Sequence, residues 1–481
     1  MKLFDCLNKE EVLNTEQISG TINISGVCCD TRVLNAGDAF FAIPGVKDDG
    51  AAYALQACAK GASCIVSERT FADNMEVPTV LVSDVRKAFA TACFAYHGNP
   101  QKKIKIIGVT GTNGKTTVTN VLKKIFTDAG KKCAMFTTVG YDVCGAFYPS
   151  SHTTPPPEKL APLFAEAVKN GAEYAVMEVS SHAIAQNRIA ALSFETGIFT
   201  NITRDHLDYH KTMEEYTRVK SSFFSVCKNA VINLDDERAH EIAKGANGNV
   251  YFVSSKSAAD FEIKNIVISP DGMSYTLNGM PITLGVAGDF NIYNTSFAAI
   301  ATLLAGIDKE SVISSLKEFS GVDGRMETVA KGKLPYPVII DYAHTPDALI
   351  KALEACRKIV SGRLFCVFGC GGNRDRGKRF EMGDIAARLS DIAVITSDNP
   401  RNEDPDDIIK DIVSGINCEY ANYVTITSRK DAIEYALANA QSGDVILLAG
   451  KGHENYIIDK DGTHYFSEKD IVMNFINRKE Q

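Results

Sequence analysis

The 481-residue sequence is 45% hydrophobic and 23% charged, an ordinary globular composition, and at roughly 150 residues per domain its length predicts about three domains. A formal net charge of −8 argues against a general nucleic-acid binder but permits small anions held by local basic groups. Thirteen scattered cysteines, with one adjacent pair (Cys28, Cys29) and no C-x-x-C spacing, form neither a disulfide framework nor a zinc site. The N-terminus has no long apolar core and no run of about 18 apolar residues occurs, so a cytoplasmic protein without membrane insertion is expected.

Three regions follow one another along the chain. In the first, residues 1–103, short apolar runs at 38–43, 63–67 and 79–82 alternate with Ala-rich helical stretches at 51–60 and 85–96, which predicts a small α/β domain. Gly98-Asn99-Pro100 breaks the pattern. The second region, 104–324, opens with a buried strand at 105–109, a Gly-rich turn and a helix at 117–129. Strands follow at 174–178, 196–200 and 229–233 with helical spacers, the signature of βαβ units and a mainly parallel sheet. Residues 250–284 read as short antiparallel strands with turns at Pro270-Asp271-Gly272 and Asn278-Gly279. The third region, 325–481, places strands at 337–342, 364–368, 392–396 and 444–448 between helices, a second doubly wound α/β unit.

The strongest local signal is Gly111-Thr112-Asn113-Gly114-Lys115-Thr116-Thr117, between a predicted strand and a predicted helix. Glycines let successive N–H groups turn inward around phosphate oxygens, and the helix N-terminus adds positive potential. Lys115 is expected at the β- and γ-phosphates and the Thr116 hydroxyl on Mg²⁺. The strict pattern wants Gly at position 109, where this chain has Val. A phosphate loop does not by itself separate kinase, GTPase, ATPase and ligase.

Further motifs narrow the choice. Residues 110–117, Met177-Glu178-Val179-Ser180-Ser181-His182, the stretch 200–208 containing Arg204-Asp205-His206, and Asp341-Tyr342-Ala343-His344-Thr345-Pro346-Asp347 occur in that order. Together they resemble the Mur ligases of peptidoglycan synthesis, most closely the member that adds the third residue to a UDP-linked muropeptide. Folylpolyglutamate synthetase shares the loop and the general plan without the terminal motifs. The resemblance implies an N-terminal α/β domain for the UDP moiety, a central P-loop ATPase domain and a C-terminal Rossmann-like domain for the incoming amino acid.

The resemblance also implies the chemistry and the residues. ATP phosphorylates a D-glutamyl carboxylate, an amine attacks the acyl phosphate, and phosphate leaves; converging anions call for divalent cations and a lysine. Glu178, His206 and Lys220, the last as a CO₂-derived carbamate, are implied as Mg²⁺ ligands beside Thr116. On spacing alone Glu178 reads as a capping carboxylate, His206 as a loop histidine and Lys220 as a solvated helix residue. Asn294, in Phe290-Asn291-Ile292-Tyr293-Asn294, is implied near the adenine, Arg325 at the phosphates or the inter-domain seam, and Asp341 at the ribose hydroxyls. The UDP-muropeptide contacts are implied at Thr31, Thr153, Thr154, Ser180, Gln186 and Arg188. Two positions depart from the family pattern: Thr31 stands where Ser is usual, and His152 where Asn is common.

Asp398-Asn399-Pro400-Arg401 bears on which amino acid is added. Meso-diaminopimelate is lysine with an extra carboxylate, and a planar guanidinium holds a carboxylate in bidentate fashion. Arg401 and Arg374 are candidates, with Gly450 and Glu454 at the ammonium and carboxylate groups of the same amino acid. The substrates implied are therefore UDP-MurNAc-L-Ala-D-Glu and meso-diaminopimelate, the protein acting as a monomer. The alternatives are the same ligase adding lysine or another diamino acid, and a P-loop regulator that binds ATP without ligating anything.

Overall fold

The computed structural model describes residues 1–17, 21–45, 49–71, 75–205, 207–269, 272–286 and 288–479. Among the described residues three large sheets follow one another along the chain, each with its own helices, and a two-stranded antiparallel ribbon, Tyr456–Asp459 with Gly462–Tyr465, follows the third.

Among the described residues the N-terminal sheet has four parallel strands, Gly26–Cys28, Asp38–Phe41, Cys64–Ser67 and Thr79–Leu81, in chain order. The helix Val85–Tyr96 starts at Asp84, whose carboxylate accepts from Lys87 N, a cap that satisfies an otherwise unpaired amide. It buries Val85, Ala88, Phe89, Ala92 and Phe94. Short side chains on this helix allow the close approach to the sheet that a small domain needs.

The central sheet has eleven strands among the described residues. Lys105–Thr110 lies between Phe194–Phe199 and Tyr174–Glu178, parallel to both. Ile107, Val109, Val176 and Ile198 pack one face against the helix Lys115–Asp128 and the helix Phe290–Leu304. Ile106, Ala175, Met177 and Phe199 pack the other. Strands buried on both faces are the mark of a covered parallel sheet. Val109 is one of them, so the loop begins at Gly111 and the missing glycine at 109 has no turn to make. Within the stretch expected to be antiparallel, Asn249–Ser254 instead runs parallel to Cys227–Asn233. Only Phe261–Ser269, Gly272–Leu277 and Met280–Leu284 form the antiparallel excursion. The turn expected at Asn278-Gly279 is present, both residues at positive φ; Pro270 and Asp271 lie outside the described residues. Gly140–Val143 and Ala146–Pro149 add a second antiparallel edge that no sequence pattern announced.

The C-terminal sheet has the order Glu327–Val329, Val338–Asp341, Val445–Ala449, Leu364–Phe368, Ile392–Ile395, Tyr423–Thr425, antiparallel only at its first strand. The last strand of the chain to join lies between the second and third, so the loops after Asp341, Phe368, Ile395 and Ala449 gather at one edge, the place where open α/β sheets bind ligands.

Candidate active site

The phosphate loop is clamped before any ligand is considered. A Cβ at Gly111 (φ 149°) would collide with the Thr200 hydroxyl, and one at Gly114 (φ 88°) with the Asn294 amide. The next strand supplies the clamp: Thr112 N donates to Asn201 O at 2.8 Å and Asn113 N to Asn201 Oδ1 at 3.0 Å. Lys115 Nζ folds over the loop, donating to Gly111 O (2.9 Å) and Thr112 O (2.8 Å). Burial pulls its pKa down, with Glu178 and Asp205 opposing. Thr116 and Thr117 are buried in the first turn of the helix that follows. Asn294, expected near an adenine, lies against the loop at Gly114 and donates to Asn291 Oδ1 at 3.3 Å.

Glu178, at the end of its strand, is 1% exposed. Its Oε1 accepts from Thr116 Oγ1 at 2.9 Å and from Thr138 N at 3.0 Å. Thr138 Oγ1 sits 3.2 Å from Glu178 Oε2 and 3.1 Å from Thr153 Oγ1, which makes Thr138 a member of the site that the motifs missed. Thr154 Oγ1 donates to Glu178 O (2.9 Å) and accepts from Ser180 N (3.0 Å). Ser180 in turn caps the helix Ser181–Ala185. Arg188 donates to Thr154 O at 3.0 Å and, through two nitrogens, to Gln186 Oε1 at 2.7 and 3.1 Å. Thr153, Thr154, Ser180, Gln186 and Arg188 are thus one connected polar surface beside Glu178. His152, by contrast, is exposed, its ring Nδ1 3.1 Å from Ser151 Oγ.

Lys220 is not the solvated helix residue its spacing suggests. It is 1% exposed, on the inner face of the helix Met213–Ser222, 4.7 Å from the Tyr216 ring centre. Its Nζ donates to Gly111 O at 2.9 Å, the same carbonyl that Lys115 uses. Burial and the neighbouring Lys115 hold its pKa well below the usual lysine value. His206 lies outside the described residues. Among the described residues no group of three or more His, Cys, Asp and Glu side chains forms a ready cage for a metal ion. What is present is a hydroxyl, a carboxylate and a desolvated amine around Gly111, and the two oxygen donors are hard ones suited to Mg²⁺.

The C-terminal domain reaches this cluster. Arg325 Nη2 donates to Thr116 Oγ1 at 3.2 Å, its guanidinium carbon 4.5 Å from the Tyr342 ring centre. Asp347 accepts from Asn113 Nδ2 at 2.8 Å and from Thr203 Oγ1 at 3.2 Å. Asp341, expected at the ribose, turns its carboxylate onto backbone, accepting from Met326 N (2.7 Å) and Ala343 N (2.9 Å). It therefore fixes the segment that carries Arg325.

The expected amino-acid residues converge at the edge of the C-terminal sheet. Asn399 Nδ2 donates to Glu454 Oε2 at 2.8 Å, and Asp398 is 3.3 Å from Lys451 Nζ. Gly450, at φ 115°, passes close to the Asp398 carboxylate. Pro400 leads into Arg401, whose backbone is left-handed (φ 54°) and whose Nη1 donates to Gly372 O at 2.9 Å. Arg374 flanks the same glycine turn at Gly371. Burial raises the Glu454 pKa, with Asp398 adding to the effect.

Thr31 lies apart from these clusters in the N-terminal domain, its hydroxyl donating to Gln56 Oε1 at 2.9 Å. Next to it a cavity of about 500 Å³ is lined by Asp30, Asn35, Asp38 and His97 of that domain and by Glu158 and Lys159 of the central one. Asp30 adjoins Thr31 in the sequence; no motif pointed to Asn35, Asp38, His97, Glu158 or Lys159.

Comparison with known proteins agrees with this architecture. The family description "Mur ligase family, catalytic domain" matches residues 23–95, "Mur ligase middle domain" residues 109–302, and "Mur ligase, glutamate ligase domain" residues 324–452. The chain is 42% identical over 468 residues to UDP-N-acetylmuramoyl-L-alanyl-D-glutamate–2,6-diaminopimelate ligase 1 of Clostridium acetobutylicum, covering 96% of this chain and 97% of that one. It is 42% identical over 455 residues to the enzyme of the same name, without the numeral, from Clostridium botulinum, covering 93% and 94%. A solved structure titled UDP-N-acetylmuramoyl-L-alanyl-D-glutamate–2,6-diaminopimelate ligase superposes with a TM-score of 0.69 at 32% identity, covering 95% of this chain and 96% of that one. With all three component domains matched in order and relatives of this identity spanning nearly the whole length, the chain belongs to the Mur ligase family.

Proposed function

We propose that the protein is the ATP-dependent ligase that joins meso-diaminopimelate to the D-glutamyl carboxylate of UDP-MurNAc-L-Ala-D-Glu. The observation that carries this reading is the seam at Arg325. On one side lies the loop cluster of Lys115, Thr116, Glu178 and Lys220; on the other lie Arg374, Arg401 and Glu454, cations and a carboxylate side by side. A zwitterionic carbon needs such a pair, and lysine, lacking the distal carboxylate, would leave Arg401 unmatched. The names of the relatives point the same way.

In this reading the amides of residues 111–117, with Lys115, hold the ATP phosphates, and Asn294 closes the nucleotide side. The polar surface of Thr153, Thr154, Ser180, Gln186 and Arg188 holds the dipeptide so that its terminal carboxylate meets the γ-phosphoryl group. Transfer gives ADP and an acyl phosphate. The diaminopimelate ammonium loses a proton, its amine adds to the acyl carbon, and phosphate departs as the amide forms. Arg325 faces the phosphates and Asp341 keeps it there. Thr31 and the cavity beside it take the UDP end.

Thr116, Glu178, His206 and Lys220 as a carbamate would hold Mg²⁺, which when bound neutralises the converging phosphate charge. Two lysine amines on one buried carbonyl support the carbamate: addition of the Lys220 amine to CO₂ would release a proton to solvent, and the product anion would then attract Lys115 rather than repel it. We assign the domains to residues 1–103, 104–324 and 325–481 and propose a monomer. Among the described residues no helix is long and apolar enough to cross a membrane, and all thirteen cysteines are free thiols; both support a cytoplasmic site. Phosphate release from ATP, measured with UDP-MurNAc-L-Ala-D-Glu and either meso-diaminopimelate or lysine, tests the reading. Equal turnover with lysine overturns the choice of amino acid, and nucleotide binding with no amide product overturns the ligase.

A further inference from the structure

Behind the amino-acid site, Lys451, Arg429 and Glu468 extend the two motif carboxylates, Asp398 and Glu454, into a row of charges. Arg429 and Lys451 are fully buried, their side chains 0% exposed. Arg429 Nε bonds Glu468 Oε1 at 2.9 Å and its Nη2 donates to Ala449 O at 2.7 Å. Glu468 comes from the last helix of the chain, Glu468–Lys479, and Arg429 from the helix Arg429–Asn439. Asp398 stands between the two cations: the Gly450 turn packs on its carboxylate and near the Arg429 guanidinium, while Lys451 Nζ is 3.3 Å from its Oδ1. Lys451 Nζ also donates to Asn399 Oδ1 (3.1 Å) and Tyr456 O (2.7 Å), and lies 3.8 Å from Glu454 Oε2. Among the described residues, buried Asp398 Oδ1 has the Lys451 ion pair but no hydrogen bond.

The order is Glu468, Arg429, Asp398, Lys451, Glu454: three carboxylates against two cations. Four of the five side chains are at most 9% exposed, and Glu454, at 15%, is the open end. Buried charge of one sign is costly unless matched. The groups facing Glu454 are Asp398, Lys451, Asn399, Arg401, Tyr342 and Tyr456, and burial together with Asp398 raises its pKa. Arg401 donates to the carbonyls of Gly372 and Asn399 and keeps its positive charge, which opposes the rise in the Glu454 pKa; it is counted with the substrate carboxylate it would face and not with the row.

We propose that Lys451, backed by Arg429 and Glu468, is a charge-setting and positioning residue for amino-acid recognition: it holds Asp398, Asn399 and Glu454 in register and leaves the row one negative charge in excess, which the non-reacting ammonium of the substrate neutralises while Arg401 takes the adjoining carboxylate. This inference rests on the amino-acid site proposed above. It makes the recognition of that ammonium a property of the row's net charge rather than of Glu454 alone.

The test compares meso-diaminopimelate with 2-aminopimelate, which lacks the non-reacting amine, as a ratio of kcat/KM. Wild type should prefer the diamino acid by about tenfold or more, the scale of one charged hydrogen bond. Asp398→Asn makes the row neutral and should bring the ratio towards one. Lys451→Met leaves two excess negative charges, so the ratio should hold or rise although kcat/KM itself falls for both substrates. The double variant restores a single excess charge and should recover the wild-type ratio. A purely structural role lowers the ratio in both single variants, and that result overturns the proposal. Should Lys451→Met fail to fold in a thermal melt, Asp398→Asn against the double variant decides: no recovery of the ratio rejects the row. Wild-type turnover with lysine equal to that with diaminopimelate would instead reject the amino-acid assignment. The same variants, compared on lysine and 2-aminohexanoate, would then still test the row.

Discussion

The candidate phosphate loop and the proposed amino-acid pocket face each other across the Arg325 seam, and they are built by different means. The loop is one continuous stretch, 111–117, whose working parts are backbone N–H groups and two side chains, so its demands appear as glycines at set spacings. The pocket is assembled from the ends of separate strands and from helices far apart in the chain, and its working parts are buried charges. Binding built on backbone is written locally, whereas binding built on charge pairs is written in partners that only the fold brings together.

Four substitutions would sharpen or break this contrast. Lys115→Ala should cost the most, lowering kcat by about 10³-fold in the phosphate-release assay, the scale of losing one preorganised group aimed at developing charge; a loss under tenfold would mean the loop is not the phosphate site. Lys220→Ala should lower kcat by about 10²-fold, and added formate or acetate should restore part of it by supplying the missing oxygen ligand. An unimpaired Lys220→Ala enzyme would end the carbamate reading. Arg401→Lys should lower kcat/KM for meso-diaminopimelate by about tenfold, because an ammonium cannot reproduce the planar fork, while KM for ATP stays level. A parallel rise in the ATP KM would show that the pocket and the loop are not separable. Asp347→Ala should have the smallest effect, a few-fold rise in KM for the amino acid, since two neutral donors to a partly buried carboxylate at about 0.5 kcal/mol each, the low end for such bonds, make about 1 kcal/mol together. No change would mean that contact between the two domains through Asn113 and Thr203 does not assist binding.

Lys220 and Asp341 mark where sequence reading stops. Lys220 sits in a polar stretch with two acidic residues in the first turn of its helix, a pattern that signals exposure, yet the helix face it occupies is pressed on the loop. Asp341 ends a strand, where a ligand is expected, and its carboxylate also accepts from Met326 N and Ala343 N at 2.7 and 2.9 Å, a structural role that no spacing announces. Thr138 belongs to no motif, and Asp347 closes the 341–347 motif without a role assigned to it there; the roles of both follow from which strands and helices become neighbours.

Local constraints were enough to specify the alternation of strands and helices, the doubly wound plan and the loop at Gly111 and Gly114, because hydrophobic period and glycine placement act over a few residues. The edge hairpin at Gly140–Pro149, the burial of Lys220, the Arg325–Thr116 contact and the charge row ending at Glu454 were decided by tertiary structure. The physical reason is common to all four: whether a polar group is solvated, paired or left in excess depends on what is packed against it, and that is set by contacts between residues as much as 209 positions apart.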